Sequence, residues 1–130
     1  FLTMAAAYAH RRGLGVLVAG MCEADFSGYP DCRRAALDAQ MIAINLGMET
    51  KFSLETPLMH LSKDESWHLA EALGGDELVE LLVEHTHSCY LGDRTTRFDW
   101  GYGCGACPAC ELRAKGWSGY IAAKSRRKSR

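Results

Sequence analysis

The sequence predicts an α/β fold, a partial parallel sheet with helices around it, plus a small C-terminal helical lobe organised by clustered cysteines. Three observations predict it. An apolar run, Leu14 to Ala19, is followed by a polar, turn-rich loop. A helical-period segment then separates that run from a second short segment of alternating polarity, Lys51 to Thr56. Near the C-terminus, three cysteines stand at two-residue spacings. Strands alternating with helices are the signature of a parallel sheet.

The elements follow in order. Residues 1–12 read as a helix, with Leu2, Ala5, Ala6 and Ala9 on one face and Gly13 placed to end it. Residues 14–19 (LGVLVA) suit a strand that is apolar on both faces, as in a covered parallel sheet. The stretch MCEADFSGYPDC reads as the loop at its C-terminal end. Asp31 is placed to cap a helix over 32–46, with Leu37, Met41, Ile44 and Met48 as its apolar stripe and Gly47 as its terminator. In Lys51 to Thr56, Phe52 and Leu54 alternate with polar residues and Pro57 closes the strand. Ser62 and Glu65 form a capping box for a helix that stops at Gly74-Gly75. Asp76 is placed to cap the next helix, 77–85. Residues 86–107 have little periodicity, and a last helix is predicted from Pro108 to near Gly116. The division expected is an α/β part over 1–85, a metal-binding lobe over 86–121 and a basic, disordered tail over 122–130.

Composition narrows the function classes. Hydrophobic residues are 48% and charged residues 24%, which places the chain with globular rather than disordered proteins. A net charge of −1 gives no reason to expect direct nucleic-acid binding, and no apolar run is long enough for a membrane span. The chain starts in mid-pattern without an initiator Met, and reads as a fragment whose missing part is N-terminal.

The segment Cys104-Gly-Ala-Cys107-Pro-Ala-Cys110 brings three sulfurs within reach of one ion, with Gly105 permitting the turn. A tetrahedral thiolate site needs a fourth ligand, and Cys89 is the nearest remaining cysteine. Four thiolates leave no open position for water, so the reading is a structural zinc. An iron–sulfur cluster, disulfides and unliganded thiols are the competing readings. His85 and His87 are alternative ligands. Clustered cysteines of this kind favour a reducing compartment, hence the cytoplasm. Cys22 and Cys32 lie outside the spacing and read as small buried hydrophobes. Trp67, Trp100 and Trp117 read as packing residues.

Three stretches, MCEADFSGYPDCR, ETPLMHLSKDESW and CGACPACELRAKG, resemble the 7-cyano-7-deazaguanine synthase family, within the ATP pyrophosphatase superfamily. The resemblance runs from Phe1 to about Ile121. It implies a Rossmann-like, adenine nucleotide alpha hydrolase-like sheet. It also implies a ligase in queuosine biosynthesis that joins 7-carboxy-7-deazaguanine and ammonia, using ATP with magnesium. The family's SGG-x-DS motif is absent from these residues, so the resemblance reads the chain as the C-terminal part, inactive alone. The segment LGDRTTRFDWGYG looks like an insertion relative to the family.

Two sets of candidate residues follow. Glu23, Asp25, Ser27, Tyr29 and Asp31 lie on the loop beyond the first strand, where open α/β sheets bind ligands. Carboxylates there suit the N–H donors of a guanine-like ring. Lys63 sits at a helix N-terminus, where a cation opposes the dipole unless an anion is near, so it is the candidate phosphate contact. A zinc-stabilised binding module without chemistry, or a related ATP pyrophosphatase such as a tRNA-thiolating enzyme, are the alternative readings. Oligomeric state is left open, a homodimer included.

Overall fold

In a computed structural model of the chain, residues 1–23 and 29–128 are described, Lys128 by its backbone alone. The chain divides into two units, Phe1–His60 and Leu61–Arg130. The division therefore falls near residue 60 rather than at 85, because the helix that follows belongs with the cysteine-bearing segment. No helix among the described residues is long and apolar enough to cross a membrane.

The N-terminal unit runs α1 (Leu2–Arg11), β1 (Val16–Val18), a 3-10 turn (Pro30–Cys32), α2 (Arg34–Met48) and β2 (Ser53–Glu55). Leu2, Ala6 and Ala9 recur at helical spacing and are buried, while Ala5 is exposed at the edge of that face. β1 and β2 pair in parallel, with Val16 opposite Ser53, Leu17 opposite Leu54 and Val18 opposite Glu55. Leu17 enters the core formed by Leu37, Met41, Ile44, Phe52 and Met59. Val16 and Val18 are exposed, which corrects the expectation of a strand covered on both faces. Period-two alternation sends neighbouring side chains to opposite faces, and only one face of this two-stranded sheet is packed here.

The start of α2 also differs from the reading. Asp31 lies inside the 3-10 turn, and the N-cap is Arg33, which makes no side-chain capping bond. Arg34, in the first helical turn, instead pairs with Asp38 and donates to Thr56 Oγ1 at 3.0 Å. Gly47 is helical; the helix ends on Glu49 in the left-handed conformation. Asn45 ties that end to β2. Its amide donates to Phe52 O at 3.0 Å, and its Oδ1 accepts from Phe52 N at 2.8 Å and from Thr50 Oγ1 at 3.0 Å.

The C-terminal unit contains α3 (Lys63–His85), β3 (Arg97–Phe98), β4 (Gly101–Tyr102) and α4 (Pro108–Lys128). The capping box is present: Glu65 N donates to Ser62 Oγ and Ser62 N donates to Glu65 Oε2 at 2.7 Å. α3 is broken at Gly74 and Gly75, whose backbones leave helical geometry, so the two-helix expectation holds. Trp67, Ala70, Val79, Val83 and Tyr120 form the core between α3 and α4. Lys124 fastens α4 to α3 through Glu71, at 2.7 Å, and Asp76.

α4 continues through Lys128, past Gly116, so residues 122–128 are helical rather than disordered. Tyr120 and Lys124 supply the reason, since both anchor that stretch on α3. β3 and β4 form an antiparallel hairpin, with Arg97 opposite Tyr102 and Phe98 opposite Gly101. Phe98 stacks on buried Trp100 at 4.7 Å between ring centroids. The segment of little periodicity thus carries its own aromatic nucleus.

Candidate metal centre

Three pieces of backbone place the four cysteines of the cluster. Cys89 follows the end of α3. Cys104 and Cys107 flank the turn after β4, and Cys110 sits in the first turn of α4. Gly105 makes the turn with a φ of +75°, and an added Cβ would meet the Phe98 ring at 2.8 Å. The four sulfurs lie within 4.8 Å of one another. Cys89 and Cys110 are buried, and Cys104 and Cys107 half-buried.

Backbone amides favour the anion at Cys89 and Cys107. Cys104 N donates to Cys89 Sγ at 3.4 Å. That amide, with those of Asp93 and Leu91, holds the Cys89 thiol down at about 6 despite its burial. Amides of Tyr90 and Cys110 lower Cys107 as well. Burial pushes Cys110 up to about 12, above the ordinary thiol range. A buried thiol in that position keeps its proton unless a cation replaces it.

Zinc–thiolate bonds of about 2.3 Å set tetrahedral sulfur–sulfur edges of about 3.8 Å. The sulfurs, all within 4.8 Å of one another, lie close to that spacing. An iron–sulfur cluster would place its own irons and sulfides between the thiolates and spread them further. The four cysteines can hold one metal ion, and the donor set and spacing suit a structural zinc. His87 is not a ligand: its Nε2 pairs with Asp93 O at 2.8 Å. His85 lies outside the cluster too.

A residue not singled out in the sequence stands beside this site. Arg113 is buried, and donates from Nε to Trp100 O at 2.7 Å, from Nη1 to Ser88 Oγ at 3.0 Å and from Nη2 to Leu82 O at 2.9 Å. It joins the end of α3, the hairpin and α4. The only sequence signal was its position one helical turn after Cys110.

The other candidate residues are more dispersed. Glu23, Tyr29 and Asp31 are exposed beyond the C-terminal end of β1. Glu23 N donates to Met59 O at 2.8 Å, which fixes the start of that loop. Asp25 and Ser27 lie outside the described residues. Lys63 is the first residue of α3, half-buried, and belongs to the C-terminal unit. Cys22 and Cys32 are half-buried. Burial and neighbouring Asp31 raise the Cys32 thiol, the opposite of what an activated nucleophile needs.

Fold and site together define a chain with a small parallel α/β unit and a helical unit that carries four cysteines able to hold one metal ion. Comparison with known families makes this specific. The chain belongs to the family of the queuosine biosynthesis protein QueC, whose family model matches residues 1–121. It is 63% identical over 126 residues to a 7-cyano-7-deazaguanine synthase of Polaromonas sp. (strain JS666), covering 97% of this chain and 54% of that one. It is 65% identical over 120 residues to the 7-cyano-7-deazaguanine synthase of Rhodopseudomonas palustris (strain BisB18), covering 92% of this chain and 50% of that one. The chain thus spans about half the length of the curated relatives it matches.

Proposed function

We propose that this chain is the C-terminal part of an ATP-dependent ligase that converts 7-carboxy-7-deazaguanine and ammonia to 7-cyano-7-deazaguanine. The observation that carries the reading is the family match over residues 1–121, which takes in both the loop beyond β1 and all four clustered cysteines. A carboxylate is a poor electrophile. One ATP converts it to an acyl adenylate with release of pyrophosphate, and ammonia displaces AMP to give the amide. A second ATP adenylates the amide oxygen, and loss of AMP and a proton leaves the nitrile. Magnesium would accompany the ATP.

In this chain the loop residues Glu23, Asp25, Ser27, Tyr29 and Asp31 recognise the deazaguanine ring. Their carboxylates accept from its N–H groups, and Tyr29 offers a face for stacking. Lys63 contacts phosphate at the N-terminus of α3, where the amide dipoles also favour an anion. One zinc, held by Cys89, Cys104, Cys107 and Cys110, has a structural role and takes no part in the chemistry.

The test is a product assay. A polypeptide of the relatives' full length carrying this chain is incubated with 7-carboxy-7-deazaguanine, ammonium and ATP, and products are read by mass spectrometry. Formation of the nitrile with AMP is the expected result, with residues 1–130 alone giving neither. Absence of nitrile from the full-length protein under conditions where a relative makes it would defeat the proposal. AMP from residues 1–130 alone would require a complete phosphate site within them.

A further inference from the structure

Arg113 presents an electrostatic problem. Its guanidinium is buried, with the residue 7% exposed, and its three hydrogen bonds all end on neutral acceptors: Trp100 O, Ser88 Oγ and Leu82 O. The Trp67 ring lies 5.3 Å away and offers only its π face. Among the described residues no carboxylate pairs with it. A buried charge without a counter-charge is costly, and hydrogen bonds to neutral oxygens do not neutralise it. Its anchors place the guanidinium beside the cysteine cluster: Ser88 adjoins Cys89, Trp100 packs with Cys89 and Cys110, and Cys110 lies one helical turn before Arg113. The cluster has the converse problem. Four thiolates around one zinc ion carry a net double negative charge, and two of the four cysteines are buried.

We propose that Arg113 is the counter-charge of the metal centre, a positioning residue that lets four thiolates stay ionised around one ion in a buried site. This rests on the zinc reading above. Two features fit the role. The guanidinium is held by three separate segments, so it cannot swing away to solvent. It also cannot lose its proton in the ordinary pH range, so its compensation is permanent. A histidine there would titrate near neutral pH. The three acceptors also admit a plainer role, a strut that merely ties α3, the hairpin and α4 together. The two roles separate by substitution, because charge and hydrogen-bonding reach can be changed independently.

The experiment measures zinc affinity by competition with a colorimetric chelator, together with the thiolate-to-metal absorption of the cobalt-substituted protein. It uses the protein of the relatives' full length that carries this chain. Arg113→Lys keeps the charge and loses the planar fork. Arg113→Gln and Arg113→Met remove the charge, the former keeping a donor and the latter the apolar stem. A counter-charge predicts that Arg113→Lys binds within about threefold of the parent. The two neutral variants should bind zinc about 10- to 100-fold more weakly, the usual loss when a group supporting a metal's ligands is removed. Failure of both neutral variants to fold in excess zinc, with Arg113→Lys folding, is the same result in stronger form. The inference is overturned if Arg113→Gln binds like the parent, if lysine does no better than glutamine, or if none of the three folds. A parent protein that holds no metal in a four-thiolate site would instead fail the zinc reading itself, since there would be no dianion to balance.

Discussion

At the scale of single residues, the proposed recognition of the deazaguanine ring rests on exposed acids. Glu23 and Asp31 are exposed beyond the C-terminal end of β1, with Tyr29 between them in sequence. An exposed carboxylate costs little to leave unliganded, and becomes valuable only when a ligand with N–H donors covers it. In a full-length protein carrying this chain, Glu23→Ala and Asp25→Ala should each weaken binding of 7-carboxy-7-deazaguanine by roughly 1.5–3 kcal/mol, with ATP affinity little changed. Calorimetry that finds both variants binding the acid normally would reduce the loop to scaffolding. The clustering of the four cysteines was legible in the sequence because two-residue spacing is a constraint that ordinary packing does not impose. Arg113 was not, because a lone arginine on a helix reads as solvated until the hairpin that buries it is seen. Asp31 misled for a related reason: a short 3-10 turn displaced the helix start by two residues, and no side-chain cap was needed.

At the scale of elements, periodic helices were legible and non-periodic segments were not. The apolar stripe of α2 (Leu37, Met41, Ile44) and the capping box of α3 are local patterns, and both occur as read. The β3–β4 hairpin has two-residue strands, too short for alternation to show, and it is held by Phe98 and Trp100 stacking. The end of α4 was missed because Gly116 looked like a terminator. In the structure it is a packing residue. A Cβ there would lie 2.3 Å from Lys63 Cβ and 3.0 Å from the Lys63 carbonyl carbon, so α4 meets the first turn of α3 backbone to backbone. Replacing glycine by alanine inside a helix ordinarily gains about 1 kcal/mol. Overpacking against atoms that cannot swing aside costs about 1–3 kcal/mol. Gly116→Ala should therefore be net destabilising, lowering the denaturation midpoint without loss of zinc. A variant at least as stable as the parent would show that the two helices do not approach this closely.

At the scale of the whole molecule, the chain is two units and about half the length of its relatives, and the two were unequally legible. The parallel pairing of β1 and β2 followed from strand–helix–strand order, yet the exposure of Val16 and Val18 did not, since covering a sheet face depends on what packs there rather than on the strand itself. For the C-terminal unit the proposed metal is a further source of order. With the proposed zinc bound, metal-binding free energy would also be folding free energy, on the order of 10 kcal/mol for structural zinc, enough to decide whether the hairpin and the start of α4 are ordered at all. That makes the four-cysteine centre the claim on which the account of this unit turns. The measurement that tests it is elemental analysis of the purified protein by inductively coupled plasma mass spectrometry, beside its Cys107→Ser variant. The account predicts about one zinc per chain, bound by four thiolates, and loss of that zinc with loosening of the C-terminal unit in the variant. Iron with inorganic sulfide, no metal at all, or full zinc retention by the Cys107→Ser protein would contradict it.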